Sequence, residues 1–212
     1  MTDRLAEDFN ELSGLQIDAL REISNIGAGN AATALAQMVN AKIDMNVPMV
    51  KILPFSEIPE MIGGADRHVV GIYLTVSGSA PVSILFILPV ESAHILVNML
   101  MGQAAGNDEF GEFDDMEISA MMEVGNIISA SYLNALSMFT QIMFVPSVPA
   151  LGVDMAGAIL NAILAQFGQI ADNVLVLETS FKKDEQDVVG NFFLLPEPDS
   201  LNKLLSALGV SY

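Results

Sequence analysis

The sequence predicts an α+β fold that is internally duplicated, with a β-sheet packed by two long helices related by a pseudo-two-fold axis. Three observations carry this reading. A shift of 101 residues lays Glu22 on Glu123, Asn25 on Asn126, Leu35 on Leu136 and Pro48 on Pro149. Toward the end of each half the shift grows to 107, carrying Pro89-Val-Glu-Ser onto Pro196-Glu-Pro-Asp and Gly102 onto Gly209. Within each half, helical and strand periodicities follow one another in the same order. The period is too long for a solenoid, and 212 residues suffice for a single domain with a substantial core. We therefore expect one domain over residues 1–212, made of repeat 1 (about 12–102) and repeat 2 (about 113–212).

Each half opens with a long helix, Leu15–Val39 and then Asp114–Met138, read from apolar residues at helical spacing. A strand follows at Ala41–Leu53 and Thr140–Val148, where apolar residues alternate or run continuously. A helical segment comes next, weak at Ser56–Gly63 and strong at Val153–Phe167. Two β-rich runs then suggest a hairpin: Val69–Val76 with Pro81–Leu88, and Val174–Phe181 with Val188–Leu195. Their links, Ser77–Ala80 and Lys182–Asp187, have turn composition. A last helix, Ser92–Met101 or Asp199–Leu208, stops at Gly102 or Gly209, the usual residue at a helix C-terminus. Gly102–Asp108 is the expected connection between halves.

Composition removes several function classes. Apolar residues make up 52% of the chain and charged ones 16%, which describes a folded protein. Eight Lys and Arg against 26 Asp and Glu give a formal charge of −18, so neither nucleic acid nor an anionic membrane surface is an expected partner. There are no cysteines, and only two histidines, His68 and His94, in no metal-binding spacing. No metal or cofactor is expected on this chain. The polar, acidic segment Met1–Glu11 is unlike a signal peptide, and Ala80–Pro89 is too short to span a bilayer. A cytoplasmic protein without membrane insertion is the expectation.

The long helices carry the candidate chemistry. Asp18, Glu22, Asn25 and Gly29 follow at +4, +3 and +4, one stripe of a helix; Ser119, Glu123, Asn126 and Ala130 form its copy. Leu20, Ile23 and Gly27, matched by Met121, Val124 and Ile128, belong to a core-facing side. A Glu and an Asn on one solvent face are ordinary. Duplication, however, preserves apolar positions for folding and gives no reason to hold an exposed Glu-x-x-Asn while Asp18/Ser119 and Arg21/Met122 diverge. Two other patterns are set aside. Gly27-x-Gly29-x-x-Ala32 mimics a dinucleotide fingerprint but lies inside a helix with no strand before it. The methionines around Met99, Met101, Met116, Met121 and Met122 are expected to fill the core.

Both helices fit [Asp/Ser]-x3-Glu-x2-Asn-x22-Pro, as Asp18, Glu22, Asn25 and Pro48 and as Ser119, Glu123, Asn126 and Pro149. This pattern resembles the signature of the CheC/CheX/FliY family of chemotaxis phosphatases, and the run Ile23–Leu35 is similar to its CheC branch. The resemblance covers nearly the whole chain and implies a CheC-like fold. It also implies hydrolysis of the aspartyl phosphate of the response regulator CheY, with Mg2+ in the CheY partner. Asn25 and Asn126 would position water, and Glu22 and Glu123 would engage a lysine of CheY. Asp18 and Ser119 would be auxiliary, and Pro48 and Pro149 would shape an edge strand. The segment Gly152–Leu160 resembles the helix by which the family binds the receptor deamidase CheD, making Asp154, Met155 and Ile159 candidates for that contact; an ordinary core helix fits the same residues. The competing function is a non-catalytic module that sequesters or regulates CheD.

Overall fold

The computed structural model describes residues 12–40, 42–102, 112–167, 173–183, 186–197 and 199–210. The first half runs α1 (Gly14–Val39), β1 (Asp44–Pro54), a 3-10 turn at Phe55–Glu57 leading into α2 (Ile58–Met61), β2 (His68–Gly78), β3 (Val82–Pro89) and α3 (Val90–Met101). The second runs α4 (Asp115–Thr140), β4 (Phe144–Pro146), β5 (Ala150–Met155), α5 (Ala156–Phe167), β6 (Asn173–Lys183), β7 (Gln186–Pro196) and α6 (Ser200–Ala207). The strands form one antiparallel sheet ordered β1-β6-β7-β3-β2-β4, with β5 also paired to β2.

Exchanging the halves reverses this order without changing it, which puts the pseudo-two-fold axis between β7 and β3. The register agrees. Leu85 pairs with Phe193 and Phe86 with Phe192, and the 107-residue shift turns each pair into the other.

The same symmetry governs the ends of α1 and α4. Ser13 accepts from the Gln16 backbone N–H while Gln16 Oε1 accepts from the Ser13 N–H. Asp114 and Glu117 form the equivalent reciprocal pair. Each box satisfies helix donors that would otherwise lack partners. At the other ends Asn40 and Gln141 take left-handed conformations, and their N–H groups donate to Ala36 O and Ser137 O. Helices of equal length, 26 residues, result.

Alternation along the strands divides the core into two layers. Val82, Ile84, Phe86 and Leu88 of β3 join Leu175, Leu177 and Phe192 beneath α1, α3, α4 and α6. Leu85 and Ile87 join Val176 and Phe193 beneath α2 and α5 on the opposite face. Gly27 explains how closely α1 approaches α4: a Cβ there would stand 3.1 Å from Tyr132 Cα. Tyr132 stacks on Phe192 with ring centroids 4.5 Å apart, beside Ser24 and Thr179, and burial raises its hydroxyl pKa. The fingerprint-like glycines are thus helix packing at Gly27, while a Cβ at Gly29 would meet open space.

The structure corrects the sequence reading at several boundaries. The expected strand Thr140–Val148 begins inside α4, whose last turn includes Thr140 with its hydroxyl donating to Leu136 O, and only Phe144–Pro146 is strand. The helix expected from Val153 starts at Ala156, because Ala150–Met155 is drawn into β5 by pairing with β2. Arg67 O and Ala65 O then accept from Ala156 N–H and Gly157 N–H at the start of α5. The first link is narrower than the expected Ser77–Ala80: β2 extends to Gly78, where a Cβ would collide with the Met143 carbonyl oxygen just before β4. β1 starts at Asp44, later than expected, and most of the expected interhalf connection lies outside the described residues. Met99 and Met121 fill the core, but Met116 is exposed. Pro48 lies at a register shift of the edge strand β1, between Asn46 and Met49, and Pro149 separates β4 from β5 on the other edge. A missing N–H is tolerated in both settings.

Candidate active site

The apolar spacing of α1 and α4 dictates which stripe faces outward. Leu20, Ile23 and Gly27 are buried, as are Met121, Val124 and Ile128. The opposite stripe therefore exposes Asp18, Glu22, Asn25 and Gly29 on α1, and Ser119, Glu123 and Asn126 on α4, with Ala130 half-buried. Among the described residues, neither Glu/Asn pair makes a side-chain hydrogen bond or ion pair. Both carboxylates and both amides are therefore presented to a visitor.

Their neighbours are not equivalent. Asp18 Oδ1 accepts from Arg21 at 3.3 Å, an exposed pair one turn before Glu22. Ser119 Oγ donates to Asp115 O at 2.8 Å, turning back onto its own helix, and Met122 replaces the arginine. Asp18 and Ser119 are thus both engaged within their helices, apart from the free Glu/Asn groups.

Ile23 packs with Ala135 and Leu136, and Gly27 lies against Tyr132, so advancing along α1 means retreating along α4. The helices cross with opposite polarity, and the two pairs lie on opposite sides of the symmetry axis. An open cleft lined by Thr33, Gln37, Asn40, Lys42 and Lys182 runs between α1 and the sheet edge; it reaches the stripe at Gly29 but is not lined by Glu22 or Asn25.

The CheD-contact candidates separate. Asp154 and Met155 lie on β5 and are exposed, not on the helix expected from the sequence. Ile159 lies on α5 but points to the sheet: its Cγ2 would meet a Cβ on Gly71 at 2.9 Å, and Gly71 pairs with Gly152. Val153 beside Asp154 is also exposed, and farther along the same sheet edge, where β4 pairs with the far end of β2, Met143, Val145 and Val148 are exposed as well. Sequence reading missed this edge, because alternating apolar residues look the same on an edge strand and in a core.

A duplicated, helix-covered antiparallel sheet displaying two outward Glu-x-x-Asn pairs defines a class of internally repeated α+β protein. The CheC-like family matches at residues 15–52 and 116–153. A Bacillus subtilis (strain 168) protein named CheY-P phosphatase CheC is 40% identical over 206 residues, covering 96% of this chain and 98% of that protein. The chain belongs to the CheC-like family. The Bacillus subtilis flagellar motor switch phosphatase FliY is 27% identical over 130 residues, 61% of this chain and 33% of that protein. The crystal structure of Thermotoga maritima FliY is similar in fold, with a TM-score of 0.75 and 20% identity over 95% of this chain and 99% of that one. No helix among the described residues is long and apolar enough to cross a membrane.

Proposed function

We propose that this protein is a phosphatase for the aspartyl phosphate of a CheY-type response regulator, acting through Asn25 and Asn126, with Glu22 and Glu123 docking the partner. The observation that carries the proposal is the recurrence of an exposed, unengaged Glu-x-x-Asn pair at one register of two symmetry-related helices. The name of the Bacillus subtilis relative, CheY-P phosphatase, supports the substrate class.

The chemistry asks little of a helper. Water oxygen attacks phosphorus, the bond from phosphorus to the aspartyl oxygen breaks, and the products are the free carboxylate and inorganic phosphate. The regulator's own acidic pocket supplies Mg2+. A carboxamide offers both donor and acceptor and stays neutral beside an anionic phosphoryl group, so it can hold the water in line. A carboxylate there would repel the phosphoryl oxygens; one turn away on the helix it can pair with a lysine of the partner and fix the docking register. The repeats over about 12–102 and 113–212 then give one cytoplasmic domain two such sites.

The test is the decay of phosphate on CheY charged with acetyl phosphate. Acceleration by the wild-type chain is expected, and none, with or without CheD, would reject the proposal in favour of a binding module.

A second reading concerns the exposed edge. Asp154 with its exposed neighbours Val153 and Met155 on the edge strand β5 is the surface we assign to the receptor deamidase CheD. Asp154→Lys should weaken CheD binding at least tenfold, since a reversed charge at an interface costs on the order of a few kcal/mol. Thermal unfolding of the variant should be unchanged, because the side chain is exposed. Undiminished binding by calorimetry removes this edge from the CheD contact.

A further inference from the structure

The docking stripe extends one turn farther than the four-residue pattern. Leu15 precedes Asp18 by three residues and Glu22 by seven, and Met116 stands in the same relation to Ser119 and Glu123. Seven residues rotate an α-helix by nearly two full turns, so each side chain lies over the same face as its glutamate, about 10 Å along the axis. That is within the span of one standard protein interface.

Both positions are large, apolar and open: Leu15 is 68% exposed and Met116 66%. Folding gives no account of them. The apolar residue before each cap is Leu12 or Phe113, and these pack against the core. Leu15 and Met116 come two residues after the caps Ser13 and Asp114, on the solvent side, where propensity would favour a charged residue as readily. A lone exposed hydrophobe needs no explanation. Two at one register of a duplicated docking face, beside positions that have diverged to Asp/Ser and Arg/Met, call for one.

We infer that Leu15 and Met116 are the apolar anchors against which the phosphorylated regulator seats on each site. This rests on the phosphatase reading above and deepens it: the glutamate sets register by charge, the asparagine enters the pocket, and the anchor supplies the desolvated contact. A leucine and a methionine are interchangeable in such a role, being similar in volume and both apolar.

Steady-state kinetics on CheY charged with acetyl phosphate tests this one site at a time. Leu15→Gln is placed in an Asn126→Ala background, and Met116→Gln in an Asn25→Ala background. Each should raise KM about tenfold with kcat unchanged, as expected when a side chain of this size is no longer removed from water in the complex. Leu15→Met and Met116→Leu should restore the parent KM. The KM increase should persist in high salt, where docking through a glutamate weakens. Unchanged KM in both glutamine variants overturns the anchors and leaves the phosphatase reading standing. A fall in kcat at constant KM also overturns them, since it would place these residues in the chemical step. If the single-site parent chains and the wild type all fail to accelerate dephosphorylation, the phosphatase reading and the anchors fall together.

Discussion

Replacing Asn25 and Asn126 together by alanine should abolish acceleration of CheY dephosphorylation, while either single variant retains part of it. Holding one water in line is worth on the order of 2–4 kcal/mol, or roughly 10²- to 10³-fold in rate. Both amides are solvent-facing and make no side-chain hydrogen bond among the described residues, so alanine should cost the fold little. Binding of phosphorylated CheY should survive, because Glu22 and Glu123 are untouched. Single-turnover decay of labelled phosphate measures the rate, and calorimetry measures the binding. Full acceleration by the double variant would refute the water-positioning role. Loss of binding in step with rate would instead make the asparagines docking residues.

Phe192→Ala should cause a large loss of stability. The side chain is 1% exposed, pairs with Phe86 across the symmetry axis and stacks on Tyr132 of α4. Truncating a buried phenylalanine costs about 3–5 kcal/mol in transfer and cavity terms. In a chain of this size that lowers Tm by roughly 10 °C. Both site-bearing helices rest on this layer, so the stability loss should be read by denaturant midpoint as well as by heat. A midpoint within error of wild type would mean that the central β3–β7 contact is not the support for α1 and α4 described above.

Legibility differed with the kind of information each residue carries. Long amphipathic helices were readable because many apolar positions at one spacing outweigh local noise, and their caps could have been read too. Ser13-x-x-Gln16 and Asp114-x-x-Glu117 are capping boxes at equivalent positions. The hairpins were readable for the same reason. The segment from Thr140 to Met155 was not. Its apolar residues fit helix and strand alike, and what assigns Ala150–Met155 to a strand is the free edge of β2 beside it. Ile159, for which the sequence leaves both a partner contact and an ordinary core helix open, is half-buried, and the glycines opposite it, Gly71 and Gly152, make room for its side chain.

By itself the sequence determined the duplication, the helix registers and the outward stripe of Glu22, Asn25, Glu123 and Asn126, because periodicity along a helix fixes which residues share a face. Only the tertiary structure decided the strand order, the opposed polarity of α1 and α4, and the apolar edge beside Asp154. Those depend on backbone hydrogen bonds and close contacts between residues far apart in the chain, such as Gly27 with Tyr132 and Leu85 with Phe193. A one-dimensional pattern records that a residue is apolar or small; which distant backbone it will meet is settled only when the sheet closes around its axis.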